Sequence, residues 1–330
     1  MIDTKSLKDR IALSSVIGRK VKLRKAGNEL VGLCPFHAEN TPSFRVNDAK
    51  GLYNCFGCNR AGDVFDFMRE AEGLSFMEAV NALSSGDLPH VEPVNRERLE
   101  RVERAERLAA RAEAFRQWSR ASSVVGTPAE VYLRSRGIVG PMPWSVRFAY
   151  APIRIDADTG RAGPRLPALM CAVQDARNKI VGVQRVFLDR QGRKASMANP
   201  KLSLGQTRGC ALRLGEIARH IVLVEGPEDG LTLRQRHPGA SVWVALGTGG
   251  LPFVELPPEV EEITLAGDNN APGRRAIDAA AEEYERQGRR VRSVFPDERF
   301  EDWNDELRGI AREPHHNAAQ DEQTNVKAAL

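Results

Sequence analysis

Apolar and polar positions alternate differently along successive stretches of the chain, and the changes mark out its elements. Residues 1–18 predict a short helix. Alternation follows in Val21-Lys22-Leu23-Arg24-Lys25 and in Asn28-Glu29-Leu30-Val31-Gly32-Leu33-Cys34, with Gly27-Asn28 as the turn, predicting a small antiparallel sheet. Residues 43–46 and 52–54 are also strand-like. Residues 64–83 carry apolar positions at helical spacing, with Asp63 as N-cap and Gly73 dividing the run into two short helices. A first domain over residues 1–86 is expected. Residues 87–125 then combine a linker, Leu88-Pro89-His90-Val91-Glu92-Pro93, with a long charged helix from about Asn95 to Ser119. The narrow stripe of that helix, Leu99, Val102, Ala105, Leu108, Ala112, Phe115 and Trp118, predicts that it lies on a neighbour or bridges domains.

Residues 126–218 are rich in Gly, Pro and short strand-like runs, such as 168–173 and 180–188, and predict a small α+β subdomain. From His220 the pattern becomes strand 221–225, helix 228–236, strands 241–246 and 263–267, helix 272–287 and strand 290–295. Short apolar runs alternating with helical segments predict a parallel sheet with crossover helices over residues 219–312. The polar residues 313–330 are expected to be a disordered tail. The fold class expected is multidomain α/β.

Composition narrows the class. A chain of 330 residues, 42% hydrophobic and 28% charged, is long enough for two or three compact units and has no apolar run of the roughly 18 residues that cross a bilayer. Its first residues lack a basic segment leading into an apolar one, so a cytoplasmic protein with no membrane partner is expected. The net charge of +4 conceals a polarity: residues 151–220 carry 13 Lys/Arg against 5 Asp/Glu, whereas residues 221–330 carry 12 against 21. A basic block beside an acidic one suits an enzyme that attracts phosphates and holds divalent cations, or else two solvated faces of opposite sign.

Three of the five cysteines lie close together in sequence, which in a reducing compartment points to metal rather than disulfides. Cys34-Pro35-Phe36-His37 and Cys55-Phe56-Gly57-Cys58 are two chelating pairs 17 residues apart. Three thiolates and an imidazole from Cys34, His37, Cys55 and Cys58 close a zinc tetrahedron with no open position, the mark of a structural ion in a small zinc-ribbon-like domain. Cys171 and Cys210 have no partner in spacing and are expected to be core thiols. Arg19, Lys20, Lys22, Arg24, Lys25 and Arg45, interleaved with Phe44, Tyr53 and Phe56, have the basic and aromatic character of a single-strand binder. Those aromatics serve equally as a small core, with Phe36 and Phe56 the foremost candidates for it.

Far-apart acids converge in the last domain. Glu225 ends one predicted strand and is followed by Glu228 and Asp229; Asp268 follows a second; Asp302 and Asp305 follow a third. A parallel sheet brings the carboxyl ends of its strands to one edge, where open α/β sheets bind ligands. Clustered carboxylates suit Mg²⁺ shared with phosphate, hence metal-assisted phosphoryl transfer; the alternative is N-caps and solvated loop acids. Gly247-Thr248-Gly249-Gly250 either brings N–H groups to a phosphate or is simply a turn.

These motifs resemble the bacterial replicative primases of the DnaG type. Leu33-Cys34-Pro35-Phe36-His37, Thr41-Pro42-Ser43-Phe44, Tyr53-Asn54-Cys55-Phe56-Gly57-Cys58 and Gly62-Asp63-Val64 are similar to their zinc-binding domain. Val224-Glu225-Gly226-Pro227-Glu228-Asp229, Ala245-Leu246-Gly247-Thr248 and Gly267-Asp268-Asn269-Asn270-Ala271-Pro272-Gly273 resemble the motifs of the Toprim fold, a Rossmann-like parallel sheet. Glu301-Asp302-Trp303-Asn304-Asp305 resembles the third acidic motif, in the form found in short primases of phages, plasmids and integrated elements. Gly182-Val183-Gln184-Arg185 and Lys194 through Asn199-Pro200-Lys201 are similar to the basic motifs beside a primase active site.

The resemblance implies synthesis of short RNA primers on a single-stranded DNA template from ribonucleoside triphosphates, with structural Zn²⁺ and catalytic Mg²⁺ or Mn²⁺. Glu225 would position or activate the primer 3′ hydroxyl. Asp268 and Asp302 or Asp305 would hold metal, with Glu225 and Asn270 beside them. Arg185, Lys194, Lys201 and Asp229 would contact template or nucleotide. In Asp268-Asn269-Asn270 an amide stands where the family has its second aspartate, which lowers the expected metal affinity. A replicative helicase, if used, would act in trans. The rival readings are a Toprim nuclease and a non-catalytic single-strand-binding module that recruits a helicase.

Overall fold

The computed structural model describes residues 7–8, 11–27, 29–39, 41–58, 60–84, 96–155 and 161–312. The linker expected at 88–93 and the tail expected from Glu313 lie outside these. The chain divides into two compact units, Met1–Leu108 and Ala109–Leu330.

In the first unit, helix α1 (Leu13–Ile17) precedes strands β1 (Arg24–Ala26), β2 (Glu29–Gly32), β3 (Phe44–Asn47), β4 (Leu52–Cys55) and β5 (Ala61–Gly62), which form one antiparallel sheet in sequential order. Helices α2 (Val64–Glu72) and α3 (Phe76–Ser84) follow. Asp63 caps α2 by accepting from the N–H groups of Phe65 and Asp66, and Asp66 returns the bond to the Asp63 N–H, completing a capping box. Lys8 also pairs with the Asp63 carboxylate.

The period of two turns Phe44, Val46, Tyr53 and Cys55 to the same side of the sheet, where all four are buried. The Phe44 and Tyr53 rings stack at 5.3 Å, and Phe36 and Phe67 close against them. This corrects the assignment of the aromatics: Phe44 and Tyr53 are core, whereas Phe56, just beyond the end of β4, is 64% exposed with the Arg45 guanidinium over its ring.

The long helix α4 (Arg96–Ser119) spans the division between the units. In its C-terminal half Ala114 and Trp118 are buried, while Phe115 is exposed, as are Val102 and Leu108 nearer the start. The expected stripe is therefore displaced by about one residue over the last turns. An Arg, Glu and Ala-rich helix has little amphipathic contrast of its own, and the large Trp118 ring decides which face is buried.

In the second unit α5 (Pro128–Ser135) is followed by an antiparallel sheet, β6 (Val146–Pro152), β7 (Arg165–Gln174), β8 (Ile180–Phe187) and β9 (Lys201–Gly205), in sequential order. Ala114 and Trp118 pack on one face of it, with Met170, Val183 and Phe187. A second sheet has β10 (Leu212–Arg213), β11 (His220–Val224), β12 (Ser241–Val244), β13 (Glu262–Ala266) and β14 (Arg290–Val294) in the order β10-β12-β11-β13-β14. All its pairs are parallel except β10 with β12. The central runs Ile221-Val222-Leu223-Val224 and Ile263-Thr264-Leu265-Ala266 read as near-continuously apolar because helices α6 (Pro227–Arg236) and α7 (Ala271–Arg286) are threaded through the parallel crossovers. Ile277, Ala280 and Tyr284 of α7 are buried with Leu223 and Leu265. The edge strand β14 carries Arg290 and Arg292, charges that discourage further pairing. Helix α8 (Trp303–Arg308) closes the described chain. The result is the multidomain α/β architecture expected.

Candidate metal centre and acidic site

Each unit places one constellation. In the first, a turn before β3 carries Cys34 and His37, and the end of β4 and the turn after it carry Cys55 and Cys58. One ligand atom from each lies within 4.8 Å of all the others, and no other group of three or more such atoms is as close among the described residues. Cys34 and Cys58 sulfurs are 3.8 Å apart, and the Cys55 sulfur is 3.9 Å from His37 Nδ1. These spacings fit one ion bonded to sulfur and nitrogen at about 2.0–2.3 Å.

The N–H groups of Gly57 and Cys58 point at the Cys55 sulfur at 3.3 and 3.4 Å, and Ser43 Oγ lies 3.2 Å from it. Burial raises the Cys55 pKa, but these donors outweigh it and hold the thiol below its ordinary range. Burial pushes Cys34 up to about 12, so a cation must drive off its proton. Gly57 has a steric reason: a Cβ there would stand 2.6 Å from His37 Nε2. Sequence reading missed Glu39. Its carboxylate lies 3.3 Å from His37 Nε2 and accepts from the Cys34 N–H at 2.7 Å and from Ser43, so it orients the ring and ties the knuckle to the sheet. Carboxylates two residues after a ligand histidine are a signal that could have found it.

The second constellation lies at the carboxyl edge of the parallel sheet. Val224 is in register with Ala266, so Glu225, one residue past β11, and Asp268, two residues past β13, leave the sheet side by side. Burial, then the charges of Glu225 and Asp302, pushes Asp268 up to about 7. One of its oxygens, Oδ1, is buried and has no hydrogen-bond partner among the described residues. Such an orphan calls for an explanation, and an ion is one. Glu225 is raised by burial, against the Thr248 N–H and Lys201. That N–H comes from the glycine loop, whose Leu246 has φ 66° and Gly247 φ 138°. The loop is thus drawn tightly over Glu225, and only glycine is at ease in the second conformation.

Asp229, in the first turn of α6, was expected among the nucleotide contacts. It is instead buried in the acidic group, accepting the Asn304 N–H at 3.0 Å, and burial with the charges of Asp302 and Asp268 raises it well above the ordinary range. Asp302 caps α8 through the Asp305 N–H at 2.6 Å, and its charge bears on both Asp229 and Asp268. Asp305 lies one turn on, 3.7 Å from Arg308. Of the two, Asp302 is the acid that joins the group. Asn270 is an N-cap: its Oδ1 accepts the Gly273 N–H at 2.7 Å and its amide donates to Glu301 at 3.0 Å.

The basic residues separate. Lys201 Nζ is 3.0 Å and Lys194 Nζ 3.7 Å from the buried carboxylate of Glu228, which also accepts the Tyr132 hydroxyl at 2.6 Å. Lys201 is close enough to act on Glu225 and Asp268 as well. Arg185 is not brought to the site. It lies on β8, on the face that carries Val183 and Phe187 and is covered by α4, and it donates to the Pro152 carbonyl at 2.9 Å. Arg136, which sequence reading passed over, stacks 5.6 Å from the Tyr132 ring and acts electrostatically on Lys194 and Asp305.

Comparison with known proteins agrees with this division. Residues 2–96 match the CHC2 zinc finger family, residues 108–214 a domain of unknown function, DUF7146, and residues 220–312 the Toprim domain. A DNA primase of Enterococcus faecalis is 34% identical over 164 residues, covering 46% of this chain and 25% of the relative. A DNA primase of Halalkalibacterium halodurans is 50% identical over 74 residues, covering 22% of this chain and 12% of the relative. The chain thus matches about a quarter or less of the length of these curated relatives. Among solved structures, the zinc-binding and RNA polymerase domains of the Aquifex aeolicus primase align over 99% of this chain and 90% of that one, at 20% identity and a TM-score of 0.44. A Cys₃His zinc finger of the CHC2 kind and a Toprim domain thus occur in one chain, and its matching stretches are shared with curated DNA primases.

Proposed function

We propose that the chain synthesises short RNA primers on single-stranded DNA by nucleotidyl transfer from ribonucleoside triphosphates. The observation that carries this reading is the buried Oδ1 of Asp268, without a hydrogen-bond partner among the described residues, amid the charges of Glu225, Asp229 and Asp302 and with Lys201 near it. Asp268, Asp302 and Glu225 would hold Mg²⁺ or Mn²⁺, which when bound neutralises phosphate charge and lowers the pKa of a coordinated hydroxyl. Asn270, committed to its cap, supports the reading by fixing the start of α7 under Asp268 rather than by supplying charge. Lys194 and Lys201 carry positive charge to the place where a triphosphate gathers its own. Glu225, raised by burial, is suited to accept a proton from the primer 3′ hydroxyl. In the zinc unit the exposed Phe56 and Arg45 offer a stacking face for template bases.

The test is incubation of the purified chain with single-stranded DNA of mixed sequence, labelled ribonucleotides and Mg²⁺ or Mn²⁺. Template-dependent oligoribonucleotides are expected. DNA retention without any product would overturn the reading in favour of a binding module, and cleavage of the strand without nucleotides in favour of a nuclease.

A further inference from the structure

Glu228 has no part in the chemistry described so far, yet it is among the most deeply buried acids of the molecule, at 6% exposure. It sits in the first turn of α6, between Glu225 and Asp229 in sequence. Its carboxylate meets the basic block, while its charge still bears on Asp229. Tyr132 of α5 donates to Oε1, Lys201 at the head of β9 donates to Oε2, and Lys194, in the loop after β8, stands 3.7 Å from Oε1. Burial raises the Glu228 pKa, but Lys201, Tyr132 and Lys194 outweigh it and hold the group at about 2, so it is a fixed anion.

The two lysines are not consumed by this contact. Their side chains keep about a third of their surface, 33% for Lys194 and 37% for Lys201, and an ammonium has three donors. Lys201 already acts on Glu225, Asp268 and Asp229. A lysine on a four-carbon stem beside unpaired carboxylates has an obvious alternative position: directly on them, where it would stand in for the divalent ion. Something must keep it off.

We propose that Glu228 is a positioning residue that tethers Lys194 and Lys201 beside the carboxylates of the acidic site, leaving Asp268 and its neighbours free for the divalent cation and the lysines free for the polyphosphate. This rests on the metal-holding role given to those acids under the proposed function. Tyr132, by satisfying the same carboxylate, fixes the tether, and α5 thereby becomes a support of the site.

The test separates the tether from mere structural support. In Glu228→Gln the pocket keeps its volume and its bond to Tyr132 but loses the anion, and Lys201 is released toward Asp268. Mn²⁺ binding to the zinc-loaded full chain, read by electron paramagnetic resonance, is expected to weaken about five-fold or more, the scale of one added positive charge near a partly exposed site. Glu228→Gln combined with Lys201→Met is expected to recover Mn²⁺ binding, because the competitor is gone, while the KM for ribonucleotide rises above that of the unaltered chain. A purely structural Glu228 would give a double variant no better than the single one, and that result, or unchanged Mn²⁺ binding in Glu228→Gln, overturns the proposal. Should Glu228→Gln fail to fold, Glu228→Asp keeps the charge and shortens the reach by one methylene; weaker Mn²⁺ binding supports the tether and unchanged binding refutes it. Primer synthesis by the unaltered chain is measured alongside, so absence of primers with an intact Mn²⁺ effect would refute the polymerase reading and leave the tether standing.

Discussion

Asp268→Asn is expected to make the protein more stable at neutral pH while removing its cation site. In the folded chain burial first, then Glu225 and Asp302, raises Asp268 from 3.8 to about 7. In the unfolded chain the group titrates near its ordinary value of about 3.9. A raised carboxyl favours the fold only while it keeps its proton: that contribution is complete below about pH 4 and is lost as the pH rises through about 7. At about 1.4 kcal/mol per pH unit, the interval from 3.8 to about 7 sets an upper limit of roughly 4 kcal/mol, and partial exposure and screening bring the expected penalty at pH 8 to about 1–3 kcal/mol. The amide carries no charge and escapes it. The assay is urea unfolding of zinc-loaded protein with no other divalent ion, followed by tryptophan fluorescence. Trp118, Trp144, Trp243 and Trp303, the four tryptophans of the chain, all belong to the second unit, so the signal reports that unit alone. The variant should gain stability at pH 8 and lose most of the gain at pH 4.5, and Mg²⁺ should stabilise only the unaltered chain. A variant less stable at pH 8, or equally favoured at both pH values, would refute the reasoning.

Cys58→Ser, or chelation of zinc, should unfold the first unit and leave the tryptophan signal of the second unchanged, because a structural zinc contributes about 10–16 kcal/mol of apparent binding energy against the few a small core supplies; protection of residues 30–60 from proteolysis would contradict this. Phe56→Ala should weaken single-stranded DNA binding by about 1–3 kcal/mol without changing the melting of the first unit, whereas Tyr53→Ala, from the core, should lower that melting steeply; equal DNA binding by Phe56→Ala would remove the stacking role. Asp63→Ala should destabilise the first unit by about 1 kcal/mol through the lost cap of α2, checked by thermal unfolding followed by circular dichroism.

The parallel sheet was legible because Ile221-Val222-Leu223-Val224 and Ile263-Thr264-Leu265-Ala266 are short, β-rich and followed by helical spacing, and its strand ends carried Glu225 and Asp268 to one edge. The chelating pairs were legible from spacing alone. Signals present but misweighed include the alternation of β3 and β4, which turns Tyr53 inward with Cys55 and leaves Phe56 beyond the strand. Asn270 followed by Ala271-Pro272 has the form of a helix start, and a cap is what it is. The buried face of α4 was hidden because its composition offers little contrast. Nothing local in sequence tells that Lys201 and Tyr132 meet Glu228, 27 and 96 residues away, or that the sheet face of Arg185 is covered by α4. Contacts between elements far apart in the chain carry no period, and only the assembled sheets create them.

Glu225, Asp268 and Asp302, distant in sequence, would share one divalent cation. Fe²⁺, loaded in place of Mg²⁺ on the zinc-bound chain and supplied with ascorbate and peroxide, cuts the backbone beside the ion it occupies. Cuts near residues 225–229, 267–270 and 301–303 are expected together, suppressed by excess Mg²⁺ and lost in Asp268→Ala. Cuts at one of these segments without the others, or a pattern indifferent to Asp268, would contradict that sharing.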